Sequence, residues 1–353
     1  MSFFRSTILL VLMASLFTSC KHEPINVATG PTLFNPEIPE GLPQLVSPPD
    51  NPMTVEGVAL GRRLFYDPIL SKNEEQSCST CHQQQFGFST QDQFEVGVDG
   101  DIGDRNSMPI INLAWGRDFF WDGREGSLEE QAFGPVVNPI EMNTTWPEVE
   151  TKLNAHSEYP ELFEKAFSIT QEIDSTHVTK ALAQFMRTLI SGNSRYDKWR
   201  YGNEQLTAPE LNGLTIFENE VADCFHCHQL GGGLTTDNDF HNNGLDTFLT
   251  DFGRFDKTGV ETDKGKFKTP TLRNIAVTAP YMHDGRFFSV RDVIDHYSEH
   301  VKDNSPNLDP LMELVGNGGA QLSESDKDDL EAFLMTLTDD EFLANPDFAD
   351  PNN

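Results

Sequence analysis

The sequence predicts a mainly α-helical protein whose two halves are related by internal duplication. Three observations carry this. Apolar residues recur at helical spacing in several segments, strand-like alternation is scarce, and one run of motifs occurs twice. The repeated run is Cys-x-x-Cys-His, then a proline-containing segment, then Asp-Gly-Arg. The first copy is Cys78-Ser79-Thr80-Cys81-His82, Asn106 to Pro109, and Phe120-Trp121-Asp122-Gly123-Arg124. The second is Cys224-Phe225-His226-Cys227-His228, Lys268 to Pro270, and Met282-His283-Asp284-Gly285-Arg286. Matched order and flanks argue against coincidence around a short turn. The second copy carries extra loop between His228 and Asp284.

Along the chain, Arg5 precedes an apolar run, Ile8 to Phe17, too short to span a bilayer and suited to a signal-peptide core. Leu16-Phe17-Thr18-Ser19-Cys20 then resembles a bacterial lipoprotein processing site. Residues 1–19 are therefore expected as a lipoprotein-type signal peptide, with Cys20 lipidated and membrane contact only through that anchor. The alternative is ordinary cleavage to a soluble periplasmic protein; either way the chain is exported to the periplasm. The proline-rich stretch 20–52 reads as a tether. The length then suits two domains, 53–195 and 196–340, with a tail at 341–353.

Helices are expected where Val55, Val58, Ala59 and Phe65 share a face, and along the stripe Val178, Ala181, Leu182, Phe185, Met186 and Leu189. Another covers Leu330, Phe333, Leu334 and Leu337. Thr145 with Glu148, and Thr207 with Glu210, have the spacing of capping boxes before apolar runs. Ser191 to Leu206, rich in Gly, Asn and charge, reads as the linker between halves. The net charge of −31 excludes nucleic acid, whose phosphates need a basic footprint. It suits a small basic partner steered by the field, although solubility alone also explains it.

Cys-x-x-Cys-His is how c-type haem is attached: two thioethers hold the porphyrin and the histidine binds iron. Two copies use four of the five cysteines. Paired zinc motifs lie about 15–20 residues apart, far closer than Cys81 and Cys224. Two covalently bound haems follow. The sixth position on each iron decides its chemistry, since a strong ligand makes an electron-transfer centre and an open position admits peroxide. Counting equally past Asp122 and Asp284 lands on Pro135 and Tyr297. Proline offers no ligand atom, whereas tyrosine can bind ferric iron through its phenolate. His296, His300, Met282 and Met312 compete with Tyr297 for that role. No histidine lies between His82 and His156. One open iron and one capped iron are expected. Gln131 and Glu141 flank Pro135 and offer an amide and a carboxylate; taken alone, such residues are more often solvated surface.

These motifs together resemble the bacterial di-haem cytochrome c peroxidase family, which includes MauG. The resemblance runs from about Val55 to Leu337. It rests on Leu60-Gly61-Arg62-Arg63-Leu64-Phe65-Tyr66-Asp67-Pro68, both Cys-x-x-Cys-His motifs, Arg105-Asn106-Ser107 and Phe120 to Arg124. Thr269-Pro270-Thr271-Leu272-Arg273-Asn274 and Ala279 to Gly285 extend it.

The resemblance implies two cytochrome c-like helical domains with a calcium ion between them, held by the Asn106 side chain and the Thr278 and Pro280 carbonyls. Oxygen ligands of this kind suit calcium. It implies that Trp121 passes electrons between the haems, and that Gln131 and Glu141 form the distal pair where peroxide binds. The well-known peroxidases of the family have methionine at the Tyr297 position and a removable histidine over the first haem. This chain has neither, as in MauG. An anionic oxygen ligand favours ferric iron and lowers that haem's potential relative to methionine. The expected function is peroxide reduction at the His82 haem, with electrons relayed through the His228 haem from a small donor protein such as a cytochrome c. The alternative directs the same oxidising power at a protein or small-molecule substrate. A pure electron-transfer cytochrome would need both irons capped, and Pro135 argues against it.

Overall fold

Most regular structure is helix, nucleated by side-chain caps. In the computed structural model, which describes residues 30–312 and 316–352, Thr54 caps Val55–Tyr66 by accepting the Gly57 amide, and Asp174 caps Ser175–Met186 through the His177 amide. Both capping boxes read from sequence are present, Thr145 with Glu148 before Trp146–Ala155 and Thr207 with Glu210 before Ala208–Phe217. Among the described residues strand is limited to one antiparallel pair, Phe240–His241 with Phe267–Lys268. The signal peptide and Cys20 lie outside the described residues. Among the described residues no helix is long and apolar enough to cross a membrane.

Two helix pairs organise two apolar cores. Val55–Tyr66 packs on Ser175–Met186, and Ala208–Phe217 packs on Glu324–Met335. Each pair touches at a glycine: a Cβ on Gly61 would lie 1.9 Å from the Ala181 carbonyl oxygen, and one on Gly213 would lie 1.9 Å from that of Asp329. Only glycine lets the backbones come this close. Leu64, Phe65, Phe88 and Phe185 centre the first core; Tyr196, Phe217, Phe333 and Leu337 centre the second.

Local geometry recurs at constant spacing between the halves. Asn112 and Asn274 each adopt a left-handed conformation before a short 3-10 turn. Phe119 bridges Glu125 as Tyr281 bridges Phe287. Between the halves two backbone bonds mirror one another: Asn106 N–H donates to the His283 carbonyl (2.7 Å), and Lys268 N–H donates to the Trp121 carbonyl (2.9 Å). Arg105 adds a charged tie, donating to Asp251 at 2.7 and 2.8 Å and to Asp122 at 2.7 Å.

Three expected connectors are firmly held instead. Residues 31–353 form one compact unit, so the described part of the tether lies against the body. Asn51 there is buried and bonds Glu129, Gln184 and the Lys180 carbonyl. The Ser191–Leu206 linker contains a helix, Arg195–Arg200, capped by Ser194. Its start is pinned because Asp339 accepts from Ser191 Oγ and the Gly192 and Asn193 amides at 3.0, 2.9 and 2.9 Å. The tail returns to the first half: Phe342 joins the first core, and Arg62 and Tyr66 donate to the Ala349 and Phe348 carbonyls at 2.7 and 2.8 Å. Each is held by contacts distant in sequence, so its polar groups are satisfied within the fold rather than by water alone.

Candidate functional site

At the first Cys-x-x-Cys-His, Cys78–Cys81 is a single helical turn started by a Ser77 and Thr80 capping box. His82 follows and donates Nδ1–H to the Phe88 carbonyl at 2.8 Å. At the second, His228 Nδ1 faces the Thr235 carbonyl at 3.3 Å, with the Pro270 carbonyl beside it. A backbone acceptor on Nδ1 fixes the tautomer and leaves Nε2 as the ligand nitrogen. Burial pushes both imidazoles below the ordinary histidine value, which keeps them neutral. The four cysteines of the two motifs are half-buried and form no disulfide. Burial pushes the Cys78, Cys224 and Cys227 thiols up to about 12. Beside Cys81, Gln76 Oε1 is buried without a hydrogen-bond partner, and burial raises the nearby Glu95 carboxyl above its ordinary value. Thiols and oriented imidazoles fit a covalently attached haem at each motif.

Above the first site, Ser127 caps the helix Leu128–Val137, which places Gln131 and Pro135 one turn apart on the same face. The chain then turns at Asn138, whose Nδ2 donates to Glu141 Oε1 at 2.6 Å. The Glu141 carbonyl accepts Val98 N–H at 2.8 Å, so the Glu95 to Gly103 loop holds its backbone. Burial pushes the Glu141 carboxyl above the ordinary glutamate value, against the Asn138 bond and the Arg124 charge. Its charge is felt at both Cys78 and Cys81, so Glu141 is near the first attachment site.

Tyr297 lies in the π-helical turn His296–His300 that continues Val290–Asp295; such turns recur at functional positions. Its hydroxyl accepts Asn243 Nδ2–H at 2.9 Å. Burial pushes the phenol up from its ordinary value, and the charges of Cys227 and Cys224 act on it, which puts it near the second attachment site. Among its competitors, His296 Nε2 is engaged by the Asn243 carbonyl at 3.2 Å, and burial pushes it down to about 4. Met282 Sδ accepts from Asn243 at 3.5 Å, and His300 is exposed.

Trp121 is buried, its indole N–H donating to the Asn106 carbonyl at 2.8 Å. Asn106 Nδ2 donates to the Asp92 and Gln93 carbonyls. Among the described residues its Oδ1, and the Thr278 and Pro280 carbonyls, accept no hydrogen bond. Sequence reasoning missed Glu95, Asn138, Asn243 and Lys268. Each acts through a fold contact distant in sequence or through a common polar residue type, so none leaves a motif.

Residues 55–205 match the family model for di-haem cytochrome c peroxidase. The MauG protein of Methylorubrum extorquens is 40% identical over 302 residues, covering 85% of this chain and 82% of that protein. The chain belongs to the di-haem cytochrome c peroxidase and MauG family. Cytochrome c551 peroxidase of Nitrosomonas europaea is 33% identical over 305 residues, covering 85% of this chain and 84% of that one. The crystal structure of a MauG-like protein associated with microbial copper homeostasis aligns with a TM-score of 0.83 at 34% identity, covering 91% of this chain and all of that one. As a di-haem peroxidase and MauG family enzyme the chain is an oxidoreductase that takes two c-type haems, and it offers two attachment motifs for them.

Proposed function

We propose that the protein reduces hydrogen peroxide at the His82 site with electrons relayed through the His228 site. The observation that carries this is the asymmetry between matched positions, Pro135 near a buried Glu141 in one half and Tyr297 in the other. When bound, the haems supply the iron that takes peroxide and the electrons that reduce it. Glu141 takes the proton from the near oxygen of peroxide and returns it to the far one, as O–O cleavage requires. Gln131 would hold the peroxide by its amide, and Pro135 offers no ligand atom to a haem bound there. Tyr297 supplies a phenolate oxygen to the second iron, with Asn243 as the donor that orients it. Trp121 carries electrons between the sites. The two halves are read as a duplication, supported by the mirrored backbone bonds. Calcium would take Asn106 Oδ1 and the Thr278 and Pro280 carbonyls, whose lone pairs no protein donor claims. Export with a lipid anchor at Cys20, and a basic donor protein, complete the reading.

Electron paramagnetic resonance of the oxidised protein is expected to show one high-spin and one low-spin ferric haem. Two low-spin signals would sink the peroxidase reading. Tyr297→Phe is expected to alter the low-spin signal alone and raise that haem's potential; an unchanged spectrum would exclude Tyr297 as ligand. A second reading, oxidation of a protein or small-molecule partner, is favoured by Tyr297 itself, since an anionic ligand disfavours easy reduction. Rapid peroxide turnover with reduced cytochrome c supports the first reading, and its absence supports the second.

A further inference from the structure

The mirrored backbone bonds pair Asn106 with Lys268, and the two residues treat cations differently. Asn106 keeps its Oδ1 free of protein donors. Lys268 brings a cation of its own. Its side chain is buried, 7% exposed, and its Nζ donates to two backbone carbonyls, Arg117 of the first half at 2.6 Å and Asn238 of the second at 3.3 Å. Among the described residues no carboxylate pairs with it; burial pushes the ammonium down to about 8, and Asp118 and Asp237, acting only at longer range, favour its charged form. The ammonium also lies over the Phe240 ring at 5.6 Å, a ring that Arg254 stacks on at 3.7 Å. A buried ammonium without a carboxylate is expensive unless its position is needed. Carbonyl dipoles and an aromatic face are what a protein offers a cation it means to keep charged.

Its position is at the join of the halves. The Lys268 amide holds the Trp121 carbonyl, and Trp121 in turn bonds Asn106. The residues that follow it strap the His228 loop: Thr271 Oγ1 donates to the Leu234 carbonyl at 2.7 Å, and Leu272 N–H donates to Thr235 Oγ1 at 2.9 Å. We propose that Lys268 is a positioning residue for electron exchange, a resident cation that clamps the Arg117 segment to the Asn238 segment beside Trp121. Its charge also sets a positive field at the His228 site. The clamp rests on the reading of Trp121 as the bridge between the haems; the field does not.

Lys268→Gln and Lys268→Met in the haem-loaded protein test this. Gln keeps donors for both carbonyls without the charge, and Met keeps the stem alone. A buried positive charge favours the reduced haem, so both variants are expected to lower the midpoint potential of the His228 haem in spectroelectrochemical titration. Met is expected to slow electron equilibration between the haems after partial reduction, and Gln to slow it less. Parent potentials and parent equilibration in both variants would overturn the proposal, as would equal slowing by Gln and Met with no shift in potential. Trp121→Phe in the otherwise unchanged protein tests the bridge separately: unaltered equilibration there removes the bridge and leaves the field to be judged by the potentials. Thermal unfolding of each variant shows whether the parent fold is kept.

Discussion

Glu141→Gln is expected to lower peroxide turnover about 10²–10⁴-fold, the usual worth of a positioned general acid–base group. Glutamine keeps the shape and a hydrogen bond to Asn138 but cannot accept and return a proton. The protonation sign follows from burial, which raises the carboxyl above its ordinary value. The base form is lost as pH falls through that raised value, so turnover should decline on the acid side at a higher pH than an ordinary glutamate would give. The Gln variant should lose that limb together with most of the rate.

Stability separates this from a folding defect. A carboxyl whose folded pKa exceeds its unfolded one costs stability once pH rises above the unfolded value. At neutral pH the Gln variant should therefore unfold no earlier than the parent. Peroxide turnover across pH, with thermal unfolding of the same samples, checks both arms. Parent-like turnover in Glu141→Gln would remove Glu141 from catalysis.

Much of this was legible in the sequence because it is written in short-range code. Capping boxes at Thr145 and Thr207 are local hydrogen bonds with fixed spacing, and both are present. Cys-x-x-Cys-His is local in the same way. The repeat around Asp122 and Asp284 puts Pro135 and Tyr297 in matched places by spacing alone. What was illegible is what the fold decides at long range. Asn243 reaches Tyr297 across 54 residues and Asp339 reaches Ser191 across 148. Neither distance leaves a pattern, and an asparagine or aspartate in a polar stretch reads as surface. The linker is held for this reason: Asp339 accepts from Ser191 at its start, and Asp197 within it pairs with Arg273. Lys268 stands in the sequence only as the start of the flank Lys268 to Pro270, and its burial is decided by long-range packing.

Asp197→Ala is expected to destabilise the protein by about 3–5 kcal/mol, because it strips the partner from a buried guanidinium. Arg273 is 1% exposed, and its Nη1 and Nη2 donate to the two oxygens of Asp197 at 2.7 and 2.9 Å. Asp197 also accepts Ser194 N–H and Oγ–H at 2.9 and 2.6 Å, so alanine orphans a helix cap as well. For a chain of this size the loss corresponds to roughly 4–7 °C in thermal midpoint. The effect should reach the second haem, because Arg273 Nε donates to the Gly233 carbonyl at 2.6 Å in the loop whose Thr235 carbonyl orients His228. Arg273→Met combined with Asp197→Leu removes both charges, and should cost less than Asp197→Ala alone, since the penalty lies in the unpaired charge rather than in the missing bonds. Thermal unfolding of the three proteins, followed at the low-spin haem absorbance, checks the ordering. A double variant less stable than the single one would mean that the pair stabilises the fold by its own attraction, and the penalty argument would be wrong.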